Sequence, residues 1–232
     1  MQPTRCLGLI GGLGVGATIH YYQSLAKACD SAGRALDIVI ANAETSRVFD
    51  HVQANDRPGL AHYLNAYIQR LHAAGAQIAV IPAVTPHFAI RELNEISPVP
   101  VLNIFEPLNH HLSMNSVRRV SVFGTSYVMQ SALFGQLPAT VEIVRSQPQE
   151  EGFIHKTYVA LAQAARATDR QRQEMTAVAH SIVHRDRVDA IILAGTDLSL
   201  IFDPATTDFP CIDCAALHLE AIAHELVANP AS

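Results

Sequence analysis

The chain has 232 residues, enough for one large or two small domains with an ample core. Hydrophobic residues make up 49% of it, charged residues 16%, and the formal net charge is −5, which argues against nucleic acid or an anionic membrane surface as the main partner. No apolar run approaches the roughly 20 residues of a membrane span, and four cysteines at this length do not make a disulfide framework, so a reducing cytoplasm is the expected location.

Residues 5–11 (RCLGLIG) read as a first strand, followed by a glycine-rich turn over 11–16. The apolar stretch 6–17 has the length of a signal-peptide core, but its glycines and its direct run into a helical pattern argue against that reading. A helix follows over 17–32, with Tyr21, Tyr22, Leu25 and Ala26 on one face. Residues 37–43 (DIVIANA) form a second strand, ending in Glu44-Thr45-Ser46-Arg47, and 59–74 form a helix stopped by Gly75. Residues 78–81 form a third strand that breaks at Pro82-Ala83-Val84. Thr85 then reads as an N-cap with Pro86 at the first helical position, opening a helix that covers 87–94. A fourth strand is expected over 99–104 (VPVLNI), then a helix ending near Asn115.

The order then begins again. Residues 117–124 (VRRVSVFG) are a strand leading through Gly124-Thr125-Ser126 into a helix, and 141–144 are a short strand. Residues 154–165 and 170–184 are helical, 188–193 a strand, Gly195-Thr196-Asp197 a loop and 198–202 a short helix. A last strand over 211–213 and a helix over 215–227 close the chain. Repeated βαβα implies parallel sheets with helices on both faces. The spacing adds a duplication, since 72 positions separate Gly11 from Ala83 and 71 separate Gly124 from Gly195. The expected fold is α/β, with two similar doubly wound domains, each on a parallel four-stranded sheet, related by a pseudo-twofold axis. The domains are expected at 1–104 plus 211–232 and at 105–210, and a single six-stranded sheet is the alternative that periodicity leaves open.

Two such halves would enclose a cleft lined by the carboxyl ends of both sheets. Hydroxyls recur at those ends in both halves, at Thr18, Thr45, Ser46, Thr85, Thr125, Ser126 and Thr196. Such groups suit a carboxylate or phosphate, although each one taken alone is more often a simple helix cap. Gly12-x-Gly14-x-x-Ala17 fits the dinucleotide fingerprint, but the duplication explains the same loop as half of a symmetric pocket. Cys211-x-x-Cys214 has no second CxxC to complete a metal site, and Cys6 and Cys29 read as core thiols. His180 and His184 have the spacing of a helical metal pair but lie on a surface-type face. His87 and His218 fit either packed, hydrogen-bonded histidines or pocket acid/base groups.

Taken together, residues 8–22 (GLIGGLGVGATIHYY), 81–87 (IPAVTPH), 122–129 (VFGTSYVM), 193–201 (LAGTDLSLI) and 213–221 (DCAALHLEA) resemble the aspartate/glutamate racemase family, most closely its aspartate racemase branch. The resemblance covers nearly the whole chain in order. It implies two similar α/β domains with the site between them, usually in a homodimer, and cofactor-independent interconversion of amino-acid enantiomers by two cysteines on opposite sides of Cα. The family's P-C-N-T-x-H motif reads here Pro82-Ala83-Val84-Thr85-Pro86-His87, and its G-C-T-E motif reads Ala194-Gly195-Thr196-Asp197. Ala83 and Gly195 thus stand where the resemblance puts the catalytic cysteines, with Asp197, His87 and Thr196 beside them. Gly12, Arg47, Thr85, Thr125, Ser126 and His218 fall around the implied ligand.

Alanine and glycine cannot move protons, so ordinary two-thiol racemisation is not expected. The resemblance then implies an atypical isomerase or lyase acting on a small carboxylate or amino-acid-like ligand without cofactor or metal. The alternative is a non-catalytic binding pseudoenzyme or partner subunit. A third reading makes Ala83 an introduced Cys→Ala change, which Gly195 and Val84 do not favour. Substitution of a lost thiol by Cys211 or Cys214 is a fourth.

Overall fold

The computed structural model describes residues 2–164 and 166–228. The chain divides into two compact units, one made of the residues up to Asn103 together with those from His218 on, the other running from Ile104 to Leu217.

In the first unit the elements are β1 (Gln2–Pro3), β2 (Leu7–Gly11), α1 (Val15–Ser31), β3 (Arg34–Ala35), β4 (Ile38–Asn42), α2 (Thr45–Gln53), α3 (Arg57–Ala73), β5 (Ile78–Val80), a 3-10 turn (Thr85–Ala89) and α4 (Ile90–Ile96). The sheet order is β4-β2-β5, all parallel, with Leu9 opposite both Ile40 and Val80. β2 and β5 are buried at every position, as expected of strands covered on both faces. Helix α3 buries Leu60, Leu64, Ile68 and Leu71 along one stripe, and its N-cap Asp56 accepts from Gly59 N–H at 2.9 Å.

The second unit holds α5 (Phe105–Met114), β6 (Arg119–Phe123), α6 (Ser126–Gln130), a 3-10 turn (Leu133–Gly135), β7 (Glu142–Ile143), α7 (Pro148–Ala164), α8 (Asp169–Asp186), β8 (Ala190–Leu193), a 3-10 turn (Thr196–Leu200) and β9 (Cys211–Asp213). Helix α9 (Cys214–Ala228) begins in this unit and runs into the first. The sheet is parallel throughout, in the order β7-β6-β8-β9. In each unit the first strand of the sheet is therefore central, with the second on one side and the third on the other. This is the α/β duplication that the spacing predicts.

Four details differ from the sequence pattern. The fourth strand of the first sheet is reduced to one bridge, Ala79 to Val101, because Pro98 and Pro100 have no N–H to donate and only Leu102 N–H and Pro100 C=O reach Ala79. Residues 45–53, of which the sequence pattern puts 45–47 at the end of the second strand and gives the rest no element, form α2, which buries Val48 and Val52 one turn apart. Thr85 does not cap an α-helix, since residues 85–89 are a 3-10 turn with no side-chain cap. Finally, Cys211–Asp213 pairs with β8, so residues 211–217 belong to the second unit rather than the first. Residue 165, the expected end of a helix, lies outside the described residues.

Candidate functional site

The loops that carry the sequence-predicted residues leave the carboxyl ends of the strands in each unit. In the first unit the turn after β2 is held by its own hydroxyls. Thr18 Oγ1 donates to Gly14 C=O at 2.9 Å, and Thr45 Oγ1 donates to Gly12 C=O at 2.7 Å. Gly12 has φ 82°, and a Cβ there would press on the Ala43 carbonyl and the Asn42 side chain, so only glycine fits. Ser46 Oγ donates to Glu44 Oε1 at 2.6 Å. Three of the hydroxyls thus serve local structure. Arg47 is exposed in the first turn of α2, with its guanidinium 5.1 Å from the centre of the Tyr63 ring. The Tyr63 hydroxyl is pushed up to about 12, chiefly by burial.

The loop after β5 is buried along its whole length, including Ala83, Val84, Thr85 and His87. His87 is fully buried, and its Nδ1 donates to Ala83 C=O at 2.8 Å. His218, on α9, accepts from the Tyr21 hydroxyl at Nδ1 (3.1 Å) and donates from Nε2 to Leu102 C=O (3.2 Å). The two rings meet edge to face with centroids 6.1 Å apart. Burial lowers His87 to about 4 against the pull of the Ala83 and Leu102 carbonyls. Burial, then the neighbouring His87, lowers His218 to about 3. Both imidazoles are neutral near pH 7 and tied to main-chain carbonyls. In this structure they are packed, hydrogen-bonded histidines.

In the second unit Thr125 caps α6, accepting from Val128 N–H at 3.3 Å, and Ser126 N–H donates to His155 Nδ1 at 3.2 Å. The loop after β8 has two main-chain hydrogen bonds in common with the one after β5, while Ala194 N–H also donates to Phe123 C=O (2.8 Å). Ala83 N–H donates to Ile81 C=O (2.8 Å) and Ala194 N–H to Ile192 C=O (3.1 Å); His87 N–H donates to Val84 C=O (3.0 Å) and Leu198 N–H to Gly195 C=O (2.9 Å). Each loop then enters a five-residue 3-10 turn at Thr85 or Thr196. By this matching the counterpart of Gly195 is Val84, and that of Ala83 is Ala194.

Thr196 and Asp197 are buried, and Gly195 lies against Tyr158 of α7. A Cβ built on Gly195 would come within 2.7 Å of Tyr158 Cδ2 and 2.8 Å of its Cζ. The Tyr158 hydroxyl is hydrogen-bonded to the Thr196 side chain, and burial followed by the Asp197 carboxylate raises it well above the usual phenol range. Helix α7 thus brings His155 to one loop and Tyr158 to the other, two residues the sequence motifs do not single out. Their signal is only the i, i+3 spacing that puts both on one side of a helix.

Of the two cysteines near the last strand, Cys211 is set back from Gly195, whereas Cys214 follows Asp213, which pairs with Leu193 two residues before Gly195. Cys211 pairs with Ile191, four residues before Gly195 and so roughly 13 Å short of it along the strand direction. Burial raises Cys6, Cys29, Cys211 and Cys214 alike. Among the described residues there is no group of three or more potential metal ligands, and no helix long and apolar enough to cross a membrane. The rings of His180 and His184 are stacked, and His180 Nε2 lies 3.1 Å from Asp208 Oδ1.

Comparison with known proteins agrees with this architecture. A Yersinia pestis protein described as a candidate Asp/Glu racemase is similar with a TM-score of 0.81 and 19% identity, over 96% of this chain and 99% of that one. An aspartate racemase homologue from Pyrococcus horikoshii gives 0.76 and 19%, over 97% and 100%, and the aspartate racemase of Picrophilus torridus 0.74 and 18%, over 98% and 96%. At these identities the likeness is one of fold. The sequence pattern of the Asp/Glu/Hydantoin racemase family, by contrast, matches residues 10–222 directly, and the chain belongs to that family.

Proposed function

We propose that this family member binds a small carboxylate or amino-acid-like ligand at the loop after β8 and does not racemise it by two thiols. The observation that carries this reading is the chemistry of the loops. Ala83 and Val84 offer only apolar groups, and every cysteine is raised by burial. Polar function is concentrated at Thr196, Asp197 and Tyr158. Such a site can hydrogen-bond and protonate from one side but cannot abstract a proton from one face of Cα and return it on the other. It fits an atypical isomerase or lyase. Arg47, exposed and stacked on Tyr63, is the cation we assign to a second carboxylate.

A thermal-shift screen of D- and L-amino acids, dicarboxylates and cyclic dipeptides tests the binding. Carboxylate ligands should raise Tm, and incubation in deuterated water should give no Cα deuteration with inversion at enzyme-like rates. Deuteration with inversion would overturn the proposal. The second reading, a binder without turnover, is favoured by the depressed histidines and would be chosen by stabilisation with no product from any hit.

A further inference from the structure

Gly195 is not demanded by its backbone. Its φ of −132° and ψ of 116° are extended values that any residue adopts. A glycine-to-alanine change in such a conformation ordinarily stabilises, because it restricts the unfolded chain. What excludes a side chain here is the Tyr158 ring, which stands where the Cβ would go. The matched position in the first unit, Val84, fills its own space and is buried. Val84 has helical backbone (φ −75°, ψ −43°) and carries its own buried side chain, whereas at the extended Gly195 the space of a side chain is taken by a ring lent by α7.

The lent side chain is polar. It is half-buried and hydrogen-bonded to Thr196. Between two hydroxyls either oxygen can donate, and a phenol that accepts from Thr196 has its own hydrogen left for a ligand.

We propose that Tyr158 is a specificity-determining residue of the Thr196 loop. Its ring occupies the volume of a residue-195 side chain, and its hydroxyl donates to a ligand carboxylate at the position where the family motif has a thiol. The second half of this statement rests on the carboxylate reading above; the first does not. Burial and the Asp197 carboxylate keep the phenol protonated through neutral pH, so it acts as a donor and not as a base.

The first test needs no ligand. Gly195→Ala, Tyr158→Ala and the double variant are compared with the wild type in thermal unfolding. Gly195→Ala should lower Tm by several degrees in the wild-type background and leave it unchanged or higher in the Tyr158→Ala background. Equal effects in both backgrounds would overturn the packing claim. A Gly195→Ala chain that fails to fold while the double variant folds supports it. If Tyr158→Ala itself does not fold, the cycle is run on Tyr158→Leu with the same criteria.

The second test uses Tyr158→Phe, which keeps the ring, with succinate and its diamide as probes. Affinity for succinate should fall about tenfold or more, and affinity for the diamide much less. A fall shared equally by both probes, or no fall, would overturn the donor role. If succinate does not stabilise the wild type, D- and L-aspartate are paired with their amides instead. If no carboxylate binds the wild type, the carboxylate reading and the donor role fall together, while the stability cycle still decides the packing claim.

Discussion

The turns after β5 and β8 share a pair of main-chain hydrogen bonds but differ in backbone at the matched residue, where Val84 is helical and Gly195 extended, and in most of their side chains. Both close with the same pair of main-chain hydrogen bonds, and both open a 3-10 turn at a threonine. The first is lined by Ala83 and Val84 and backed by two neutral, buried histidines. The second has Gly195, Thr196 and Asp197, with Tyr158 laid over the glycine. The difference separates what a duplicated fold supplies from what it leaves open. The order of the first three sheet strands and one pair of turn hydrogen bonds are common to both halves; the chemistry is decided by single side chains, one of them from a helix outside either turn.

Chemistry should break the comparison most sharply. A general acid or base contributes about 10²- to 10⁴-fold, and two thiols are missing by the resemblance, so Cα exchange with inversion should lie roughly 10⁴-fold or more below that of a thiol-bearing relative. Deuterium incorporation followed by chiral chromatography measures it. Next in size is the response to acid. Two histidines of the first unit, His87 and His218, are held below their unfolded value of about 6.5. The unfolded chain therefore takes up protons first as pH falls, and stability is lost between about 6.5 and 4. The slope is about 1.4 kcal/mol per pH unit for each histidine. Glu150 in the second unit, lowered mainly by Arg185, adds its loss only below the ordinary carboxylate range. Hydrogen exchange at pH 7 and pH 5 should show the first unit loosening before the second.

Smaller effects sharpen the matched station. Removing the side chain of Val84 by Val84→Ala should cost about 2 kcal/mol, from two buried carbons and the space they leave. Adding one by Gly195→Ala should cost about 1–3 kcal/mol from overpacking on Tyr158. Opposite changes at equivalent positions would thus have the same sign, which urea unfolding can check. Thr125→Ala, which removes an observed cap, should cost about 1 kcal/mol. Smallest on stability is Arg47→Ala, about 0.5–1 kcal/mol for an exposed cation over a ring. If Arg47 holds a second carboxylate, the same variant should weaken a bound dicarboxylate roughly tenfold or more.

Much of the fold is legible because buried parallel strands are written locally. LGLIG, IAV and AIIL are short apolar runs, and the like separations of LGLIG from IAV and of RVSVF from AIIL reveal the repeat. Helix α2 is hidden, since its nine residues offer only two buried valines among polar neighbours. The weak fourth strand follows from Pro98 and Pro100, whose effect depends on which N–H groups a neighbouring strand needs. The two loops are also readable, as strand ends carrying threonines. Tyr158 is not, because its importance depends on a contact across 37 positions with a residue that has no side chain. Nor does the pattern reveal that His87 and His218 spend their nitrogens on Ala83 and Leu102.

The ring over Gly195 also bears on history. Glycine and cysteine codons are neighbours in the genetic code, so a return to a thiol at 195 is a short mutational step. With Tyr158 in place that step leads into a clash, and with Tyr158 removed first it passes through a chain that has lost a packed ring. Neither order is smooth. Such a pair restrains position 195 from outside its own loop: while Tyr158 keeps its place, any side chain there must first displace the ring.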